Sequence, residues 1–352
     1  MSNSDRFMRR LGLRYPIIQA PMAGVSTPSL AAAVSEAGGL GSLGLGASTV
    51  EQARTMMTAT KALTDQPFNV NVFCHRPPQR NDQNEHAWIE CLTPLFQQFN
   101  AIPPEQLNEI YLSFLDNPEM LQLLLDMKPA VVSFHFNIPS PEIVKALQGR
   151  GIYTMATATN LHEARQIELA GIDAIVAQGI EAGGHRGMFD VQAIDQELTT
   201  NQLVIQLVKQ TQLPIIAAGG VMNGEDINDA LANGAAAAQL GTAFLLCPES
   251  AATEGYRRKL KSQTSDNTVL TTAISGRPAR GILNPLIQLA EQYGTDKLPD
   301  YPVAYDVAKQ LHGAALKCGN DGFAAYWAGQ KVARSREMSA KTLMETLIKE
   351  MS

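Results

Sequence analysis

A glycine-rich segment, DAIVAQGIEAGGHRG at Asp173–Gly187, contains the residues best suited to chemistry. Its apolar run 174–177 is typical of a short buried strand, which ends at Gln178. The following turn contains one acid, Glu181, and one histidine, His185, among its glycines. Glycines allow close approach of the backbone to a ligand, and histidine titrates near neutral pH. The segment predicts either a ligand-facing His185 or a βα turn whose histidine is structural.

Two further glycine-containing stretches are typical of phosphate binding. AAGGVMNGEDI begins at Ala217, and QLGTAF begins at Gln239. A helix predicted after Asn223 adds the partial positive charge of its N-terminus. If these stretches follow the last two strands of a barrel, they occupy a common phosphate site. The predicted phosphate cup consists of the glycines and backbone N–H groups of these two stretches.

Three amides interrupt apolar strands, namely Asn71, Gln178 and Gln239. A buried amide without partners costs about 1–3 kcal/mol, so each needs hydrogen bonds. Two interpretations stay open. The amides either form a polar network in the core or hydrogen-bond the edge of a planar heterocycle, for which a flavin is suitable.

The histidines His135 and His185 both fall at predicted strand ends or just beyond them. The chain has no HExxH spacing, and a metal site needs three or more converging ligands, so no metal is expected. It also has no GxSxG elbow of the kind that hydrolases use. A histidine poised near neutral pH suits proton transfer or hydrogen bonding to an anion.

Eight apolar strands alternate with helices along most of the chain, which predicts a parallel sheet covered by helices. The fold class is therefore α/β, a (β/α)8 TIM barrel. A doubly wound open sheet is disfavoured because no GxGxxG follows the first strand. The predicted strands are 16–22, 40–45, 68–74, 130–136, 152–158, 173–178, 214–218 and 235–244.

Two segments interrupt this alternation. The stretch 75–128 and the part after Pro248 have mostly helical patterns, including predicted helices at 104–114 and 321–330. A long insertion in a compact domain is usually functional. The predicted division is a barrel of 1–74 and 129–250, with 75–128 and 251–352 forming a helical lobe over its C-terminal face as a substrate lid.

Composition narrows the class of protein. The 352 residues are 45% hydrophobic and carry a net charge of −6, without a basic cluster, so nucleic acid is not an expected partner. The four cysteines lie far apart in the sequence, with no CxxC pair. This spacing is consistent with reduced thiols in the cytosol. No signal peptide or membrane-length apolar run is evident. We expect a cytoplasmic protein that acts away from membranes, as a monomer or homodimer.

Taken together, the motifs resemble the nitronate monooxygenases, formerly called 2-nitropropane dioxygenases. QAPMAG, GGLGSLGLG, FNVNVF, DAIVAQGIEAGGHRG, PIIAAGG and QLGTAFL occur in the family's order, between about Pro16 and Cys247. SFHF at 133–136 and SGRPARGI at 275–282 resemble the bacterial and fungal class I branch, which is active on propionate 3-nitronate.

The resemblance implies FMN as cofactor, and small nitronates and O2 as substrates. It implies His185 as the catalytic histidine, with Met22 and Ala23 against the flavin ring. The implied FMN-binding residues are Asn71, Gln178, Gly183, Gly220, Gln239, Leu240, Gly241 and Thr242. The implied substrate residues are Tyr111, His135, Tyr256, Tyr301, Tyr305 and Lys309.

Other functions share parts of this pattern. An FMN-dependent NAD(P)H reductase, of the enoyl-acyl-carrier-protein or quinone type, has the same flavin motifs. A non-redox barrel such as a sugar-phosphate isomerase also binds phosphate after its last strands. An enzyme like IMP dehydrogenase is disfavoured because no cysteine stands in the loop after the sixth strand.

Overall fold

The computed structural model describes residues 3–263 and 267–351. Within them, eight parallel strands form a barrel, and three further strands form a small antiparallel sheet beside it. The strands are β1 (Ile17–Gln19), β2 (Gly41–Gly44), β3 (Phe68–Phe73), β4 (Val131–His135), β5 (Tyr153–Ala158), β6 (Ala174–Gln178), β7 (Gly184–His185), β8 (Ile215–Ala218), β9 (Ala237–Leu240), β10 (Thr268–Thr271) and β11 (Ala279–Ile282).

Helices follow the barrel strands and also form the two segments outside that alternation. They are α1 (Asn3–Leu11), α2 (Pro28–Glu36), α3 (Val50–Leu63), α4 (Asp82–Gln98), α5 (Pro118–Met127), α6 (Pro141–Gln148), α7 (Leu161–Leu169), α8 (Thr200–Gln210), α9 (Gly224–Ala232), α10 (Glu254–Lys261), α11 (Pro285–Tyr293), α12 (Val303–Lys317) and α13 (Ala340–Glu350).

The barrel strands run in the order β1-β9-β8-β6-β5-β4-β3-β2, and each neighbouring pair is parallel. The ring closes between β1 and β2. The Gln19 N–H donates to the Leu40 carbonyl at 3.0 Å, and the Leu40 N–H donates to the Ile17 carbonyl at 2.9 Å. An open doubly wound sheet has two edge strands, so this closure excludes it. The predicted (β/α)8 barrel is confirmed.

Apolar side chains fill the barrel interior, which explains why its strands are almost continuously hydrophobic. Ile18, Val131 and Ile216 belong to one buried cluster, which Phe7 of α1 joins. The ring of Phe7 stands edge-on to the Tyr153 ring, with centroids 6.0 Å apart, where β5 begins. Helix α1 therefore covers the amino-terminal end of the barrel, and the carboxyl ends of the strands stay open for a ligand.

A separate apolar cluster joins α4, α11 and α12 outside the barrel. It contains Trp88 of α4, Leu286 of α11 and Leu311 of α12. The two segments predicted to form the lobe thus share a buried core. Their remaining helices pack on the barrel instead, since Leu123 of α5 and Leu343 of α13 belong to barrel clusters.

The small antiparallel sheet has the order β10-β11-β7. Ala279 of β11 pairs with His185 of β7, and Arg280 pairs with Gly184. The sequence analysis predicted a helical pattern throughout this region. That expectation was wrong because four-residue strands are too short to show an alternating pattern, and β7 has only two residues.

The helices predicted at 104–114 and 321–330 are also absent from the structure. In the first stretch the Leu107 carbonyl accepts from Arg80 Nη2 at 2.9 Å and the Asn108 N–H donates to Asp306 Oδ2 at 2.8 Å, so side chains of other segments bind this backbone in place of helical hydrogen bonds. In the second stretch the Tyr326 carbonyl accepts the Ile282 N–H at 2.9 Å, so the chain runs beside β11. No helix in the described ranges combines the length and apolar character that membrane crossing requires.

Candidate active site

The carboxyl ends of the barrel strands open into a cavity of about 860 Å³. Pockets for cofactors and drug-sized ligands are on the order of 300–1,000 Å³. The residues singled out from the sequence lie in its wall with one exception. They are Met22, Ala23, Asn71, Tyr111, His135, Gln178, Gly183, His185, Gly220, Gln239, Gly241, Thr242, Tyr256, Tyr301, Tyr305 and Lys309.

The exception is Leu240, whose side chain is fully buried in an apolar cluster with Ile17 and Leu30. Its carbonyl accepts the Ala20 N–H at 2.8 Å and so helps hold β1 against β9. Leu240 therefore supports the wall from behind and presents no side chain to the cavity.

The phosphate cup has unused backbone donors. Gly220 has φ +67°, a conformation that L side chains rarely adopt. In the described part of the chain, the N–H groups of Gly220 and Val221 make no hydrogen bond. Asn223 caps α9 directly after them by accepting the Asp226 N–H at 2.8 Å. Free N–H groups beside a helix N-terminus are suited to bind an anion.

A segment from the C-terminal part of the chain completes the cup. The Gly329 N–H donates to Thr242 Oγ1 at 2.9 Å, directly after β9. Gly183 lies so close to this segment that an added Cβ would be 2.5 Å from the backbone of Ala328 and Gly329. Gly183 is therefore required for close packing between the β6–β7 turn and the C-terminal segment.

The three amides differ in what they bind. Asn71 Nδ2 donates to Ser133 Oγ at 2.9 Å. Gln178 Nε2 donates to the His185 carbonyl at 2.9 Å, and its Oε1 accepts the Gly187 N–H at 2.8 Å. The side chain of Gln239 has no hydrogen bond to any described residue. Gln178 thus holds the His185 turn in place, while Gln239 keeps its capacity for a ligand.

His185 has a defined pattern of proton donation. Its Nε2 lies 2.8 Å from Ser275 Oγ, and the Ser275 hydroxyl donates to the Arg277 carbonyl at 3.2 Å. A hydroxyl has one proton to give, so the Ser275 oxygen accepts and His185 Nε2 carries the hydrogen. Nδ1 of His185 is then the unprotonated nitrogen.

Burial keeps His185 neutral as well. It lowers the pKa of His185 to about 3, and the neighbouring His135 and Arg277 add to the shift. Protonation would place a further charge beside groups that repel it. At neutral pH the ring is therefore uncharged, with Nδ1 as a hydrogen-bond acceptor.

His135 supports the same turn. Its Nε2 lies 3.2 Å from the His185 carbonyl, and its Nδ1 lies 3.0 Å from Thr157 Oγ1. A carbonyl can only accept, so Nε2 carries the proton and Nδ1 accepts from the Thr157 hydroxyl. Burial lowers the pKa of His135 to about 4, so this ring is also neutral.

Aromatic rings form the wall opposite the barrel. The ring centroids of Trp327 and Tyr301 lie 5.2 Å and 5.5 Å from that of His185. Lys309 Nζ lies 4.9 Å from the Tyr111 ring centroid and 5.3 Å from that of Tyr305. Cations bind favourably over such rings, so the lysine is held at the cavity wall.

Sequence reasoning missed several residues of the site. Ser275 and Arg277 lie next to His185 through the β7–β11 pairing, and Trp327 and Lys331 line the cavity. Lys331 Nζ makes a 2.7 Å ion pair with Asp226 in the first turn of α9. The only sequence signal for Ser275 and Arg277 was the SGRPARGI motif. Its resemblance to the class I branch implied no role for either residue.

Among the described residues, no group of three or more His, Cys, Asp or Glu side chains could hold a metal ion. The polar groups of the cavity are backbone N–H groups, amides, neutral histidines and tyrosines. Such groups are suited to a planar ligand with an anionic end.

Comparisons with known proteins agree with this architecture. Residues 5–350 match the family model described as nitronate monooxygenase. Relatives named nitronate monooxygenase in Pseudomonas aeruginosa (52% identity, 99% of each chain) and Paraburkholderia phytofirmans (52%, 97% of this chain, 93% of that one) are similar over nearly their full length.

Two solved structures are similar to this chain over nearly its full length. A nitroalkane oxidase from Streptomyces ansochromogenes superposes with a TM-score of 0.88 at 38% identity, covering 96% of both chains. FabK from Thermotoga maritima has a TM-score of 0.74 at 28% identity, covering 98% of this chain and 95% of the other. The chain therefore belongs to the nitronate monooxygenase family, and it is an oxidoreductase enzyme.

Proposed function

We propose that this enzyme depends on FMN and oxidises alkyl nitronates with O2 to a carbonyl compound with nitrite and nitrate. The proposed physiological substrate is propionate 3-nitronate. The observation that carries the proposal is a neutral His185 with an unprotonated Nδ1, in the wall of a cavity that also contains a cup of free backbone donors.

FMN fits the groups that line the cavity. The N–H groups of Gly220 and Val221 lack protein partners in the described chain and suit its phosphate. Gln239 has an amide free for the edge of the flavin ring, and Met22 and Ala23 supply an apolar surface. When bound, FMN would supply the electron acceptor that nitronate oxidation requires.

The sequence left two roles open for His185: to hold the anion as a protonated or hydrogen-bonding ring, or to remove the proton of a neutral nitroalkane as a base. The lowered pKa disfavours a protonated ring and leaves a free lone pair on Nδ1, which the base role requires. For a neutral nitroalkane, Nδ1 would take the proton on the carbon bearing the nitro group. A nitronate arrives without that proton, so its turnover depends less on His185.

Lys309 is suited to recognise the second charge of propionate 3-nitronate. Its side chain lies over Tyr111 and Tyr305, which limit its freedom at the cavity wall. A carboxylate that reaches this ammonium forms a charge-assisted hydrogen bond. A plain alkyl nitronate lacks the carboxylate and gains nothing from Lys309.

The decisive experiment measures O2 consumption with propionate 3-nitronate, a nitroalkane and NADH, on protein of known FMN content. We expect O2 uptake with the nitronate and slower uptake with the nitroalkane. If FMN-loaded protein takes up no O2 with the nitronate and none with the nitroalkane, the proposal is contradicted.

The NAD(P)H reductase alternative is separated by anaerobic mixing with NADH. Rapid flavin reduction by NADH, without O2 uptake on the nitronate, would establish a reductase instead. A colourless protein that takes up no FMN would favour the non-redox barrel.

A further inference from the structure

A neutral His185 leaves open which group attracts an anionic substrate. Arg277 lies in the turn between β10 and β11, in the peptide that His185 contacts through Ser275. Its residue is 6% exposed, and it belongs to the SGRPARGI motif. Nothing in the proposed mechanism so far uses this guanidinium.

Arg277 is a buried cation without an ion-pair partner in the described part of the chain. Its Nη2 donates to the Met188 carbonyl, and its Nε has no partner. A buried charge is costly unless it is paired, so an arginine in this state is normally compensated by an anion. The position therefore lacks a negative group.

The acidic residues that face Arg277 do not supply that group. Glu163 and Asp190 act on it only through space, and Arg76 opposes them. The Glu163 carboxylate is already occupied, since Oε2 accepts the Thr159 N–H and Oε1 accepts the Phe189 N–H at 2.9 Å. Burial lowers the pKa of Arg277 to about 10, so it stays charged at neutral pH.

Phe136 fixes where this charge lies. The guanidinium carbon of Arg277 is 4.1 Å from the Phe136 ring centroid, and the same ring stands edge-on to His185 at 5.5 Å. Phe136 has φ +76°, an outlier for a bulky residue. Backbone strain of this kind persists where function requires the geometry. The Phe136 ring therefore lies between the Arg277 guanidinium and the His185 ring at the cavity wall.

Arg277 differs from Lys309 in its exposure to water. Lys309 is exposed, so solvent screens its charge, and the position suits a remote carboxylate. Arg277 is buried and therefore screened much less. Its field acts on any anion beside His185, whether or not that anion has a second charge.

We propose that Arg277 is a specificity-determining residue, the fixed positive charge that favours anionic nitronates over neutral nitroalkanes beside His185. This rests on the proposed function. Arg277 does not line the cavity and acts through its field without touching the substrate. An anionic substrate beside His185 then supplies a negative charge near a guanidinium that has no ion pair in the described chain.

The test compares ethyl nitronate with nitroethane, which share one carbon skeleton, on FMN-loaded Arg277→Met. We expect KM for the nitronate to rise about tenfold with little change in kcat, and KM for nitroethane to change less than about twofold. Arg277→Lys keeps the charge and is expected to retain most of the preference. Arg257→Met, which removes an arginine bonded to the Leu246 and Cys247 carbonyls, is the matched control.

Nitrate binding measured by calorimetry is a readout that needs no turnover. We expect the dissociation constant of nitrate, a planar anion, to rise about tenfold in Arg277→Met and to stay constant in Arg257→Met. Arg277→Gln replaces the Met variant if that protein does not fold, with the same expectation.

Equal changes for both substrates, or no change for either, overturn the inference, as does a wild-type enzyme that binds no nitrate. Nitrate binding that depends on Arg277, in an enzyme that oxidises no nitronate, supports the inference and removes only the proposed function. The two failures are thus distinguishable.

Discussion

His185 owes its chemistry to three neighbours. Ser275 accepts a hydrogen bond from Nε2–H, while burial, with His135 and Arg277 nearby, disfavours a positive charge on the ring. A base needs a free lone pair at the operating pH, and these contacts supply one. The histidine alone would titrate near pH 6.5 and would be partly protonated in a cell.

Replacing His185 with asparagine removes the base. We expect turnover of a nitroalkane to fall by about 10²–10⁴-fold, the usual contribution of a positioned base, with FMN content retained. Oxidation of the corresponding nitronate is expected to fall much less. The measurement is O2 uptake on both substrates, and an unchanged rate with the nitroalkane would remove His185 from this role.

Ser275→Ala removes the acceptor for Nε2–H. We expect the nitroalkane kcat to fall about tenfold, because the ring then populates both tautomers, while nitronate turnover changes little. Nitrogen NMR of labelled histidine reports the tautomer directly. Ser35→Ala is a matched control, because that buried hydroxyl also makes two hydrogen bonds. It donates to the Pro67 carbonyl and accepts from the Gly41 N–H. A single unchanged tautomer in Ser275→Ala contradicts the assignment.

The sequence supported predictions for residues at strand ends, because parallel barrel strands bring their carboxyl ends to one face. Asn71, His135 and Gln239 were found in this way. Ser275 and Arg277 could not be, since their place beside His185 depends on a two-residue pairing between β7 and β11. Long-range contacts of that kind leave no periodic signal.

At the scale of elements, the β7–β11 pairing attaches the His185 turn to the C-terminal part of the chain. The Arg186 N–H donates to the Pro278 carbonyl at 2.8 Å, and Arg186 makes a 2.8 Å ion pair with Asp195. The turn is therefore held from both sides. A glycine-rich loop is otherwise expensive to order, because glycine loses the most conformational freedom on folding.

Gly183→Ala tests the close packing of this turn against the C-terminal segment. The new Cβ would meet backbone atoms of Ala328 and Gly329 at 2.5 Å, so one of the two segments must move. We expect lower FMN content and a lower melting temperature. Gly313→Ala in α12 is the control, because no atom lies within 4 Å of its added Cβ and alanine favours a helix. Equal FMN content in both variants would contradict the close-packing role.

Across the whole molecule, three buried histidines make stability depend on pH. Burial lowers the pKa of His75 and of His135 to about 4 and that of His185 to about 3. The unfolded chain titrates near pH 6.5, so between pH 6.5 and 4 it binds more protons than the native state. Stability is full above that window and is lost as the pH falls through it.

The free energy of unfolding is therefore expected to decrease from pH 7 to pH 5. His75, which is 1% exposed, contributes about 2 kcal/mol of that decrease. Urea denaturation at the two pH values measures it, and His75→Leu should show a smaller difference. An identical pH dependence in His75→Leu would contradict the assignment.

The barrel could be predicted from the sequence because each strand is apolar enough to be buried on both faces. The packing of the added helices was harder to predict. Some helices of 75–128 and 251–352 pack together in a shared cluster, and others pack on the barrel. Trp88 and Leu311 share one cluster although most of the barrel lies between them in the sequence. Composition does not encode such a meeting.

The residues of the phosphate cup come from two parts of the chain that are synthesised at different times. Its glycines and Thr242 are made with the barrel, but Gly329 and Lys331 leave the ribosome nearly ninety residues later than Thr242. A nascent chain that has finished the eighth barrel strand therefore has a barrel without a complete ligand site. A ligand that contacts the whole cup therefore requires the C-terminal segment to be docked on the barrel.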